Sequence, residues 1–254
     1  MTADTQDADR RWFKRFGHRD QPGEIRLLCF HHAGGSAGMY RQWPQLLPPS
    51  VELVAVQLPG RADRFGEPPF DRMEPLIDAL VEALKPLLER PFACYGVSMG
   101  ARVAWALAHT LRERSMPMPR WLFVACDTAP SEDDGTWPWQ NRPDGLEGYM
   151  RQMGGTPAAV FAEPVLLQAL LPTLRADLDV LSTHQFRPAQ PLEIPIRGFA
   201  GVRDPAAPPH RMAAWRQETT AGFDLDLLPC GHFFDPAAEH RVIQTIGQNL
   251  TRAG

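Results

Sequence analysis

The chain has 254 residues, of which 44% are hydrophobic and 22% charged, and its formal net charge is -4. That length and composition supply the core of one folded α/β unit and exclude a disordered chain. The acidic balance excludes the basic footprint of a nucleic-acid binder. The four cysteines, Cys29, Cys94, Cys126 and Cys230, form no C-x-x-C pair and no metal-type spacing, so free buried thiols and no bound metal are expected. No stretch approaches the roughly 18 apolar residues of a membrane span. Met1 to Arg10 is polar without an apolar core, so a secretory signal is not expected and a cytoplasmic, monomeric protein is.

In chain order, residues 1–22 read as a polar lead-in apart from Trp12, Phe13 and Phe16. Strand-like and helix-like segments then alternate, the pattern of a mostly parallel sheet with helices on both faces. Arg26–His31 is a short apolar run that stops in His32-Ala33-Gly34-Gly35, and Val51–Gln57 is a second, stopped by Leu58-Pro59-Gly60. From Asp71 to Arg90 the apolar residues recur at three- and four-residue spacing, which predicts one helix. Asp71 and Glu74 suggest a capping box at its start, and Pro86 a shortened last turn. Phe92–Tyr95 reads as a strand, Met99–Arg112 as a helix, and Trp121–Ala125 and Ile196–Ala200 as buried strands. Phe223–Leu228 alternates apolar and acidic residues as a half-exposed edge strand does, and Ala237 to Leu250 closes the chain as a helix.

One stretch breaks the rhythm. Between Pro130 and Pro195 there is no convincing strand, only helical patches and the breakers Gly154-Gly155-Thr156-Pro157 and Glu163-Pro164. Its many Leu, Met and Phe residues are too apolar for a solvated loop, and an insertion of this length is usually functional. The expectation is a single domain over 1–254, with 131–194 forming a helical lid over the carboxyl edge of the sheet, where ligands of α/β folds bind.

The strongest chemical signal is Gly96-Val97-Ser98-Met99-Gly100, a G-x-S-x-G set between an apolar strand and an amphipathic helix. That context is a nucleophile elbow, with the helix amides aimed at the reacting oxygen. A serine nucleophile needs a base, and the base a carboxylate, in the chain order Ser, acid, His. His240, His210 and His184 lie in helical surroundings, and His109, on the helix after Ser98, is expected to face solvent. His232, in Cys230-Gly231-His232-Phe233-Phe234 after the last strand, is the base that a loop can bring back to Ser98. For the acid, Asp204 after Ile196–Ala200 is favoured, and Asp127 after Trp121–Ala125 is a rival. The oxyanion donors expected are the backbone amides of Met99 and Ala33. His31 and His32 read as scaffolding of the early loop.

At this point the chain resembles the type II thioesterases that accompany polyketide synthases and nonribosomal peptide synthetases. The resemblance rests on Phe30–Ala37, Leu58-Pro59-Gly60-Arg61 with Arg64 and Glu67, the Gly96–Gly100 elbow with Ala101, Gly154–Pro157, Leu171–Asp177 and Gly231–Phe234. It implies the α/β-hydrolase fold with Asp204 as the triad acid. It also implies hydrolysis of acyl thioesters on the phosphopantetheine arm of acyl or peptidyl carrier proteins, an editing role with no cofactor of the enzyme's own. Met150, Met153, Phe161 and Leu170 of the lid are the residues expected to receive the acyl chain. Departures from the family pattern are Val97, Cys126-Asp127-Thr128, Cys230 and Asp235. On the residues alone, a carboxylesterase or acyltransferase with the same triad is the alternative.

Overall fold

The computed structural model describes residues 10–17, 23–184 and 189–252, so the N-terminal segment read for a secretory signal falls, apart from Arg10, outside the described residues. Seven strands form one sheet: β1 (Phe13–Lys14), β2 (Ile25–Phe30), β3 (Val51–Val56), β4 (Phe92–Val97), β5 (Leu122–Ala125), β6 (Ile196–Gly201) and β7 (Phe223–Leu228). Their order is β1-β3-β2-β4-β5-β6-β7. Every pairing is parallel except that of β1 with β3. From β2 the chain steps one way to β3 and then returns to the other side as β4. That reversal opens a crevice at the carboxyl ends of β2 and β4, where α/β sheets bind ligands.

The inner strands are apolar on both faces because helices cover both, and β7 at the edge is only partly buried, as its alternation predicted. The lead-in is not free of structure: β1 pairs Phe13 with Val56, and Phe13 is buried. A two-residue strand has no periodicity to read, so only its partner reveals it.

Helix α1 (Met73–Leu84) turns Met73, Leu76, Ile77, Leu80, Val81 and Leu84 inward, and Pro86 lies in a following 3-10 turn, Lys85–Leu87. The expected capping box is absent: Arg72 holds the N-cap position, no side chain caps it, and Asp71 sits one residue too early. Helix α2 (Met99–Glu113) is buried on nearly all sides between the sheet, α1 and the lid. His109 is therefore not at solvent as expected; it is 7% exposed and packs against Trp105, with ring centroids 4.3 Å apart and the planes tilted by 50°.

The segment expected to be a lid is helical: α3 (Gly145–Met153), α4 (Ala158–Ala162) and α5 (Pro164–Ser182). Among its described residues the single β contact is an isolated bridge from Leu192 to Thr219. These helices stand over the carboxyl edge without filling the space beneath, where a cavity of about 480 Å³ remains. A short helix α6 (Pro209–Met212) follows β6, and α7 (Pro236–Arg252) closes the chain against the opposite face of the sheet. Among the described residues no helix is long and apolar enough to cross a membrane.

Candidate active site

The elbow is built by sterics. Ser98 has φ 53° and ψ -123°, a conformation an L-residue adopts only under constraint from its surroundings. A Cβ at position 96 would lie 2.1 Å from the Gly100 carbonyl oxygen, and one at position 100 would lie 2.1 Å from that of Phe30. Both glycines are required because backbone crosses backbone on either side of the serine. Hydrogen bonding fixes the turn: the Ser98 amide donates to Ala125 O at 2.7 Å, and its carbonyl accepts from the Ala101 amide at 2.8 Å.

His232 reaches Ser98 from the loop between β7 and α7. Its Nε2 lies 3.2 Å from Ser98 Oγ, and its Nδ1 lies 2.8 Å from Asp204 Oδ2. The other oxygen of Asp204, Oδ1, accepts the amides of Ala206 (2.8 Å) and Ala207 (3.1 Å). Burial alone would raise the Asp204 carboxyl, but the hydrogen bond and charge of His232 and those two amides hold it below its usual value. An ionised Asp204 keeps the Nδ1 proton on the histidine and leaves Nε2 to face the serine. The Cys126 thiol completes this corner: Cys126, Asp204 and His232 each present a donor atom within 4.8 Å of the others.

The rival acid is committed elsewhere. Asp127 Oδ2 accepts from Arg102 Nε at 3.2 Å, and the same guanidinium donates through Nη1 to Asp133 at 3.0 Å and through Nη2 to Thr128 O at 3.1 Å. Burial pushes the Asp127 carboxyl up to about 6 despite the opposing charge of Arg102.

The loop after β2 is pinned from the lid. Asp177 on α5 accepts both Nη1 and Nη2 of Arg61, at 2.6 and 2.7 Å, together with the Gly34 amide at 2.7 Å. Gly35 N donates to His32 O at 2.9 Å. The amides of Ala33 and Met99, the expected oxyanion donors, have no protein acceptor among the described residues and are free to bind an oxyanion. His31 and His32 are scaffolding: burial first, then neighbouring charge, pushes His31 well below its ordinary value, and burial likewise lowers His32. Their Nδ1 atoms bond the backbone carbonyls of His32 and Ala33, each at 2.8 Å.

Ser98 and His232 open into the cavity, whose wall includes Met150, Met153 and Leu170 as expected. Phe161, expected to receive the acyl chain, is not part of that wall; the Arg151 guanidinium lies 4.0 Å over its ring. The aromatic wall of Trp137, Trp139 and Tyr149 and the Arg102 cluster were not singled out from the sequence as parts of the pocket. Nothing in the spacing of Trp137, Pro138 and Trp139 shows where their rings face.

A strained serine after a central parallel strand, bonded to a late-loop histidine and through it to a buried aspartate, on this strand order, is the architecture of an α/β-hydrolase. Within that class the thioesterase-domain family model matches residues 25–250, and the chain belongs to the thioesterase family. The RedJ thioesterase of the prodiginine pathway of Streptomyces coelicolor superposes with a TM-score of 0.84 at 35% identity, over 91% of this chain and 94% of that one. The type II thioesterase BorB from the borrelidin cluster gives a TM-score of 0.82 at 30% identity, over 94% and 97% of the two chains. A curated relative, linear gramicidin dehydrogenase LgrE of Brevibacillus parabrevis, is 38% identical over 89% of this chain and 88% of its own. Its name does not transfer: no two glycines of this chain are separated by a single residue, so the G-x-G-x-x-G of dinucleotide binding is missing.

Proposed function

We propose that the chain is a serine thioesterase that removes acyl groups from the phosphopantetheine arm of carrier proteins. The observation that carries this reading is the Ser98–His232–Asp204 hydrogen-bond chain at the floor of a lidded cavity with a largely apolar wall. In the mechanism, Ser98 Oγ attacks the thioester carbonyl while His232 Nε2 takes its proton. The oxyanion is held by the amides of Met99 and Ala33. The tetrahedral intermediate expels the pantetheine sulfur, which receives the proton from His232 and leaves as a thiol. Water, deprotonated by the same nitrogen, then cleaves the seryl ester, releasing the acid and restoring Ser98. Asp204 holds the tautomer and offsets the imidazolium charge at each stage. The reaction as written consumes water alone.

An editing role, clearing stalled or misprimed acyl groups, rests on the biosynthetic setting of the relatives, RedJ and BorB among them. The test is hydrolysis of an acyl group from a loaded carrier protein, beside the matching pantetheine thioester and oxyester. Release of free acid from the carrier, faster than from the oxyester, is expected. An oxyester cleaved faster than either thioester would overturn the reading.

A further inference from the structure

We infer that the acyl pocket selects acyl groups bearing an ammonium, with the Asp127 carboxylate as the group that binds it; this rests on the thioesterase reading above. Asp127 stands beside the nucleophile. In the β4–β5 register Val97 pairs with Ala125, whose carbonyl accepts the Ser98 amide, and Asp127 lies two residues further along the same edge.

Its carboxylate is half used. Oδ2 accepts from Arg102, whereas Oδ1 accepts no hydrogen bond from the described residues. The side chain retains 12% of its surface and lines the cavity, so its remaining exposure is toward the substrate. Arg102 cannot neutralise the site. It is 1% exposed, its three nitrogens are engaged, and it faces two carboxylates, Asp127 and Asp133, both in the cavity wall. The other charges of the wall balance: Arg61 is paired with Asp177, and Arg211 offsets Asp134. A surplus negative charge therefore remains in a poorly solvated pocket, where it costs stability unless a cation arrives. A purely hydrocarbon acyl group supplies none.

The rest of the wall fits the same guest. Trp137 and Trp139 lie 4.8 Å apart and Tyr149 lies 5.7 Å from Trp139, so an aromatic cluster lines the cavity together with Asp127. Ring faces attract ammonium groups through their quadrupole. A carboxylate-bearing acyl group meets the opposite field and is rejected.

The experiment compares the 3-aminopropanoyl, butanoyl and malonyl thioesters of pantetheine at pH 8, each kcat/KM being divided by the spontaneous hydrolysis rate of the same compound. The expected order is ammonium, neutral, carboxylate. The ammonium compound should be favoured over the neutral one by about tenfold or more, as a charge-assisted bond in a desolvated pocket allows. In Asp127→Asn the ammonium-to-neutral ratio should fall to near one. Equal values for the ammonium and neutral compounds in the wild type, a faster malonyl compound, or an unchanged ratio in Asp127→Asn would overturn the inference. The wild-type order decides alone if the variant does not fold. Failure to hydrolyse any of the three would instead remove the thioesterase reading on which the inference stands.

Discussion

Replacing Asp177 with Ala removes the clasp between the lid and the early loop. The wild-type carboxylate holds both terminal nitrogens of Arg61 and the Gly34 amide, with side-chain exposures of 7% for Arg61 and 2% for Asp177. Without it, a guanidinium is left buried and unpaired, a change that typically costs about 3–5 kcal/mol. For a chain of this size each kcal/mol moves Tm by roughly 2–4 °C, so the loss should fall at roughly 6–20 °C. The loss is also functional, because Gly34 follows the expected oxyanion donor Ala33. Thermal unfolding and turnover of a butanoyl thioester should therefore fall together. The double replacement Arg61→Leu/Asp177→Leu should recover most of the stability, since removing both charges leaves none buried, but not the turnover, because the Gly34 amide still lacks its acceptor. A Tm lowered by less than about 2 °C in Asp177→Ala, with turnover unchanged, would show that the clasp holds neither the fold nor the early loop.

Asp204→Asn should lose on the order of ten-thousand-fold in kcat by favouring the wrong histidine tautomer, whereas Asp127→Asn should lose far less on a neutral acyl group. Steady-state kinetics on the two variants checks this, and the reverse ranking would move the acid to the end of β5. Gly155→Ala should slow both free and carrier-bound substrates. Its Cβ would lie 2.6 Å from the ring of Phe233, which packs against His232 at 5.2 Å. Gly154→Ala meets open space, but φ 74° with ψ -164° is backbone that only glycine adopts readily, so the change should cost stability alone, on the order of 1–3 kcal/mol, read by denaturant titration. Folding raises the Asp127 carboxyl from 3.8 to about 6, so the folded chain binds more protons than the unfolded chain between those values. The stability of the wild type relative to Asp127→Asn should therefore fall as pH rises through that window, by on the order of 3 kcal/mol, and parallel stability profiles would contradict it.

What the sequence revealed was local. The elbow was legible because Gly96 and Gly100 are demanded by contacts made a few residues away along the same strand, turn and helix, or against the neighbouring β2. His232 was legible because it follows the last strand, and the lid because its apolar residues lack strand spacing. The choice between Asp204 and Asp127 was not settled by position, since both follow strands at the carboxyl edge. Only the packing of Arg102 against Asp127 and of His232 against Asp204 separates them. The Arg61–Asp177 pair joins residues 116 positions apart, and no periodicity encodes that distance. His109 and Phe161 were misplaced for a related reason: a helix pattern tells which residues share a face, not which neighbour covers it.

Turnover of an acyl-loaded carrier protein by Ser98→Ala decides whether Ser98 is the nucleophile that breaks the thioester. With folding verified by an unchanged Tm, the variant should release acid several orders of magnitude more slowly than the wild type, down to the level set by binding and the oxyanion donors. Release within about tenfold of the wild-type rate would show that Ser98 is not the nucleophile.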